Sequence, residues 1–223
     1  MENRLRNRMT DTASRPFSDA AATWNRRFEG DGFLFGTEPN VWLSEHIDVW
    51  PTGGRILCVA DGEGSNSVWL ARKGFIVDAF DIAEVGVAKA HRLAAQAGVT
   101  VNFTVADCDE YPWPLSTYDG VAAIFVQFAA PEQRRRLFNR IAASLKPGGA
   151  LILQGYTPKQ LEYGTGGPPF LSHLYTAELL RAAFDGLNVL ELSEYEADVN
   201  EGSGHKGRSA LIGMVVRRGQ KLT

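Results

Sequence analysis

The chain has 223 residues, with 23 Lys and Arg against 26 Asp and Glu, 44% hydrophobic residues and two cysteines, which fits one domain with ample core material. A net charge of -3 gives no general grip on nucleic acid or anionic lipid, because that needs clustered Lys and Arg, and no apolar run approaches the roughly 20 residues of a membrane helix. Cys58 and Cys108 cannot build a disulfide framework or a multi-cysteine zinc site, the four histidines are dispersed, and the low cysteine count suits a reducing cytoplasmic setting.

Residues 1–18, polar and Arg-bearing without an apolar signal core, read as a flexible tail, followed by a helical lid over 19–50, a main domain over 51–218 and a short tail over 219–223. Within the lid, helices are expected over Asp19 to Phe28 and Glu38 to Trp50, the second ended by Pro51-Thr-Gly-Gly54. The first strand, Arg55 to Ala60, is apolar on both faces, as a central parallel strand covered by helices must be. A helix starting near Asn66 follows, then a strand Phe75 to Phe80 ending at Asp81, and a helix from Ala83 to Ala97 stopped by Gly98. Strands at Val101 to Val105, Gly120 to Phe125 and Ala150 to Leu153, with a helix from Pro131 to Leu145, continue the alternation. Right-handed crossovers then give an α/β, Rossmann-like, doubly wound parallel sheet with helices on both faces. The last third differs: a helix Thr176 to Phe184, then strands Asn188 to Tyr195 and Ser209 to Val216 joined by the glycine-rich Asn200 to Gly207. So short a connection makes an antiparallel C-terminal hairpin.

Between the first strand and the next helix stands Ala60-Asp-Gly-Glu-Gly64, and Asp81 follows Gly62 by 19 residues. Glycines let the backbone approach a ligand at a helix N-terminus, and an acidic residue about 20 positions on can accept both ribose hydroxyls. The pair implies an adenosine-containing cofactor. Ser67 stands where the dinucleotide fingerprint wants a third glycine, which counts against a nicotinamide-dependent oxidoreductase. Asp107 follows the third strand and reads either as an acceptor for an adenine amino group or as a turn cap.

Ile56-Leu-Cys-Val-Ala-Asp-Gly-Glu-Gly64, Asp81, Asp107, Tyr118-Asp-Gly-Val121 and Leu145-Lys-Pro-Gly-Gly149 together resemble the class I S-adenosylmethionine-dependent methyltransferases. Trp24-Asn-Arg-Arg-Phe28, Phe35-Gly-Thr-Glu-Pro-Asn40 and Asn200-Glu-Gly-x-x-His-x-Gly207 are similar to the tellurite-resistance-like branch of that class. The resemblance runs from Trp24 to Arg217. It implies a mostly parallel seven-stranded sheet with its seventh strand antiparallel, methyl transfer to a small-molecule acceptor such as an oxyanion or small thiol, and S-adenosyl-L-methionine as cofactor. The implied cofactor-binding residues are Trp24, Arg27, Ala60, Asp61, Gly62, Gly64, Asn66, Asp81, Ile82, Ala106, Asp107, Cys108 and Phe125. Two departures from the class are Cys58, where an acidic residue is usual, and Ala60, where glycine is usual; a buried strand cysteine is a small hydrophobe and not a nucleophile.

Methyl transfer from a sulfonium is an in-line displacement in which the protein aligns the reactants and excludes water. Trp24, Phe28, Phe33 and Phe35 read as an aromatic lid for the sulfonium or as core, and Arg27 as a partner for the methionine carboxylate or a surface ion pair. For the acceptor, Gln127 is a candidate orienting group. His205, beside Lys206 and Arg208, is a candidate anion-binding or proton-accepting group, or an exposed hairpin residue. Arg134 to Arg136 read as a solvated helix face. A small-molecule substrate is expected, with neither nucleic acid nor a membrane as partner, and the alternatives are a nicotinamide-dependent oxidoreductase or a non-catalytic binding protein on the same fold.

Overall fold

The computed structural model describes residues 19–220, so the N-terminal tail expected over 1–18 and the last three residues lie outside the described residues. Helix α1, Ala20–Phe28, starts where the Asp19 carboxylate accepts the Ala22 N–H at 3.0 Å. Helix α2, Val41–His46, starts later than its sequence pattern predicts because Asn40 takes the cap position and accepts the Leu43 N–H at 3.0 Å. A short 3-10 turn, Ile47–Val49, completes that segment.

The main alternation follows as β1 (Arg55–Val59), α3 (Ser65–Arg72), β2 (Ile76–Asp81), α4 (Glu84–Ala97), β3 (Asn102–Val105), β4 (Tyr118–Ile124), α5 (Pro131–Ser144) and β5 (Leu145–Tyr156). Two short helices, α6 (Gln160–Tyr163) and α7 (Ala177–Ala183), precede β6 (Asn188–Glu201) and β7 (His205–Arg217). Among the described residues the seven strands form one sheet in the order β3-β2-β1-β4-β5-β7-β6. Pairs from β3 through β5 are parallel, and β7 runs antiparallel to both β5 and β6. No described helix is long and apolar enough to cross a membrane.

Alternate residues of β1 explain its unbroken apolar run. Leu57 and Val59 pack with Leu137, Phe138 and Ile141 of α5, whereas Ile56 and Cys58 pack with Leu43, Trp50, Val68 and Leu70 on the other face. Cys58 is 2% exposed and burial pushes its thiol well above the usual range, the state of an inert core group. Gly120 in β4 is where Trp50 lies against the sheet: a Cβ there would sit 2.3 Å from the indole, whose Nε1 donates to Ala150 O at 2.9 Å.

Two boundaries differ from the sequence reading. Strand β5 begins at Leu145, so Lys146 to Gly149 belong to a strand with an irregular register against β4 and not to a free turn. The hairpin ladder continues through the stretch read as turn, to the pair Glu201↔His205. Its glycines answer a close approach: a Cβ on Gly202 would lie 2.3 Å from Leu34 O, and Gly204 N donates to that same carbonyl at 2.9 Å. The hairpin tip therefore packs against the backbone of the N-terminal segment.

Candidate functional site

The strand order reverses between β1 and β4, which opens a crevice at the carboxyl ends of the parallel strands, the place where open α/β sheets bind ligands. A cavity of about 550 Å³ lies there. Because β7 is antiparallel, its first residue, His205, reaches the same end, and the cavity runs across the sheet from Asp81 on β2 to His205 on β7. Two non-glycine residues on its wall, Ala60 (φ +49°) and Phe125 (φ +54°), hold the left-handed conformation directly after β1 and β4, and strain of this kind concentrates at functional sites. Ala60 thus adopts the backbone that glycine would take most easily.

Asp81 is 7% exposed; its Oδ2 accepts the Gly62 N–H at 2.9 Å and its Oδ1 the Ala83 N–H at 2.8 Å. The carboxylate therefore ties the glycine loop to the end of β2 and retains lone pairs on the cavity wall. Burial raises Asp81 to about 6 and Asp61 to about 7. Ser67, at the third fingerprint position, donates its hydroxyl to Asp61 Oδ2, while Asp61 Oδ1 is buried without a partner. A carboxyl whose folded value exceeds its ordinary 3.8 gives the fold a contribution that is full below 3.8 and is lost as pH rises through about 7. Asp61→Asn is therefore expected to stabilise the ligand-free chain by about 1–3 kcal/mol at pH 8, after allowance for its unpartnered amide. The gain should shrink as pH falls from 7 toward 4, and urea denaturation at pH 8 and pH 5 measures the difference.

Eleven of the thirteen residues implied as cofactor-binding line the cavity: Trp24, Ala60, Asp61, Gly62, Asn66, Asp81, Ile82, Ala106, Asp107, Cys108 and Phe125. Gly64 and Arg27 are not among them. Gly64 (φ +92°) sits where a Cβ would meet Ala90 of α4 at 2.7 Å, so its place is loop packing. The Arg27 guanidinium stacks over Trp24 at 4.3 Å and reaches Phe35 at 5.9 Å. Asp107 Oδ1 accepts the Asp109 N–H at 2.6 Å, which is the turn cap. Asp107, Cys108 and Asp109 bring one donor atom each within 4.8 Å. Asp109 is already paired with Arg136 at 2.8 Å and Arg140 at 2.7 Å, and burial pushes the Cys108 thiol up to about 12.

Of the acceptor-side candidates, Gln127 is 2% exposed and does not line the cavity; its amide binds backbone groups of Tyr156 and His173. His205 does line it, and its ring packs among Phe35 (4.5 Å), Phe125 (4.6 Å) and Tyr156 (5.7 Å). The solvated arginine face holds for Arg135 and Arg136, both exposed, the latter at the rim of the cavity; Arg134 departs from it, buried with its guanidinium on Ser172 O at 2.6 Å. Two further arrangements organise the site without having been singled out by sequence pattern. Glu63 and Lys89 form a buried pair at 2.8 Å. Asn40 Nδ2 donates to Gln154 Oε1 at 2.6 Å and Glu201 Oε1 at 2.7 Å, and Asn40 N donates to Asn66 Oδ1 at 2.9 Å. The signal for the first is a lysine on the buried stripe of α4, beside Gly86, Ala90 and Ala94.

Residues 56–149, from β1 into β5, match the methyltransferase domain family Methyltransf_25. A ubiquinone/menaquinone biosynthesis C-methyltransferase, UbiE, of Geobacter sulfurreducens is 31% identical over 116 residues, 49% of this chain. The matched stretch spans 39% to 45% of the length of the curated relatives. Among solved structures, one reporting the conversion of a disulfide bond into a thioacetal group during echinomycin biosynthesis superposes with a TM-score of 0.72 at 15% identity, over 91% of each chain. TehB from Haemophilus influenzae follows at 0.66 and 14% identity, over 89% of this chain and 66% of that one. The fold is the Rossmann-like fold of the S-adenosylmethionine-dependent methyltransferases, with the C-terminal strands antiparallel.

Proposed function

We propose that this chain is an S-adenosylmethionine-dependent methyltransferase acting on a small-molecule acceptor and belonging to the tellurite-resistance-like branch. The observation that carries the reading is the Asp81–Gly62 bond on the wall of an open cavity at the switch point of the sheet. The residues present fit a nucleoside sulfonium. A buried acceptor oxygen, Asp61 Oδ1, lacks a partner, and bare Gly62 keeps the loop low, where a Cβ would press on Phe28 at 3.3 Å. In this reading Asp81 holds the ribose hydroxyls, Asp107 the adenine amino edge, and residues 60–66 the amino-acid half, with Ile82, Ala106, Cys108 and Phe125 as walls and Trp24 facing the sulfonium. Arg27 acts through Trp24, and Gly64 through the loop. When bound, S-adenosylmethionine supplies an electrophilic methyl group. The protein aligns the acceptor and excludes water.

Isothermal titration calorimetry with S-adenosylmethionine, S-adenosylhomocysteine and NAD tests the reading: the first two are expected to bind, and binding of NAD alone overturns it. Asp81→Ala should weaken S-adenosylhomocysteine binding by about 1–3 kcal/mol, with a thermal melt to show that the variant remains folded. The resemblance to the tellurite-resistance-like branch implies an oxyanion or a small thiol as acceptor, and the cavity chemistry favours the thiol.

A further inference from the structure

His205 and Glu201 face each other as the last ladder pair of the hairpin, at the end of the cavity opposite Asp81. His205 Nδ1 is buried without a hydrogen bond, and Glu201 Oε2 lies 3.6 Å from it. That leaves Nε2 as the ring nitrogen available to the cavity. Glu201 is itself held through its other oxygen by Asn40 Nδ2 at 2.7 Å. A base within reach of the reaction space, with a carboxylate behind it that is fixed by a third group, is the arrangement of a general base and its orienter, and such bonds are often long before substrate arrives. The groups facing the imidazole are Glu201, the rings of Phe35, Phe125 and Tyr156, and Gly166.

The charge on the cavity wall limits what His205 can act on. Among the described residues eight carboxylate side chains line the cavity, against one guanidinium, Arg136. Glu63, Asp109 and Glu132 have Lys or Arg partners, which leaves Glu38, Asp61, Asp81, Asp107 and Glu201 without one. Such a wall attracts a sulfonium and repels an oxyanion.

We infer that His205, oriented by Glu201, is the general base for a neutral acceptor with an ionisable S–H or O–H, a small thiol or phenol, and that oxyanions are not acceptors. This rests on the methyltransferase reading above. The step balances: the acceptor proton passes to Nε2, the acceptor lone pair forms the new bond to the methyl carbon, and the S–CH3 bond breaks with its electrons going to sulfur. The positive charge lost at sulfur reappears on the imidazolium.

The test uses the full chain and two variants, His205→Gln and His205→Phe, the second keeping the aromatic packing. Small thiols, phenols, selenite and tellurite are offered with S-adenosylmethionine. Wild-type turnover of thiols or phenols, a fall of about 10²–10⁴-fold in both variants, and a smaller fall for acceptors already ionised at the assay pH support the inference. A readout independent of turnover is the absorbance of 4-nitrophenol bound with S-adenosylhomocysteine. Its ionised fraction should be higher in the wild type than in His205→Phe. Turnover of oxyanions alone, turnover of nothing offered, or an equal loss for ionised and un-ionised acceptors overturns it. Calorimetry separates the two claims: loss of S-adenosylhomocysteine binding in the wild type sinks the methyltransferase reading, whereas intact binding with the wrong acceptor pattern sinks only this one.

Discussion

Replacing Lys89 by methionine is expected to destabilise the chain by about 3–5 kcal/mol, the cost of leaving one member of a buried ion pair without its partner. The Lys89 and Glu63 side chains are 4% and 2% exposed, and their Nζ–Oε1 distance is 2.8 Å. Each also reaches the N-terminal segment: Lys89 Nζ donates to Gly32 O at 2.6 Å, and Glu63 Oε2 accepts the Leu34 N–H at 2.7 Å. The pair is thus a strut between α4, the glycine loop and residues 32–35, and Phe35 at the end of that segment lines the cavity. Methionine preserves the volume of the lysine stem but leaves the Glu63 carboxylate in a dry site. The double variant Lys89→Met, Glu63→Gln should recover much of the loss, because glutamine stays neutral and its Oε1 can still accept from Leu34 N. Urea denaturation, read as a change in midpoint at constant slope, gives both numbers. A loss below about 1 kcal/mol would place the pair in the range of surface ion pairs and remove the strut. The same variants should weaken S-adenosylhomocysteine binding if residues 32–35 form a wall of its site.

The alternation of strands and helices is legible because a parallel strand buried on both faces leaves an unbroken apolar run, as Ile56 to Val59 do. The antiparallel ending is legible from the shortness of the connection between the last two strands. Strand lengths there are not, because glycine has two causes that look alike in sequence. Gly202 and Gly204 permit the close approach of Leu34 and Phe35 inside what reads as a turn. At the site, Gly62 and Asp81, the residues that local spacing singles out, are joined by the Gly62 N–H bond to the Asp81 carboxylate. Contacts between distant segments carry no such local signal: Asn40 meets Glu201 across 161 positions and Glu63 meets Lys89 across 26. His205 shows the same limit from the other side. From its polar loop it reads either as a chemical group or as an exposed hairpin residue, and the packing of Phe35, Phe125 and Tyr156 around its ring in the cavity wall is what no local pattern carries.

Gln127→Leu is expected to cost about 2–5 kcal/mol of stability and to leave the chemistry of the remaining folded protein largely unchanged. Its Nε2 donates to Tyr156 O at 2.9 Å and His173 O at 3.0 Å, its Oε1 accepts the Tyr156 N–H at 2.6 Å, and its own carbonyl lies 2.9 Å from His173 Nδ1. Leucine fills similar space but satisfies none of the three backbone groups, each of which carries a penalty of about 1–3 kcal/mol when buried unpaired, with the sum reduced by relaxation. The amide fastens the end of β5 and residue 173 to the segment after β4, and so sets the Tyr156 ring against Phe125 at 4.6 Å. Its influence on acceptor handling is therefore indirect, through the placement of the rings around His205. A melt lowered by many degrees with S-adenosylhomocysteine affinity retained below the transition is the expected result. An unchanged melt with lost turnover would instead make Gln127 a substrate-contacting group, which its engagement by three main-chain atoms argues against.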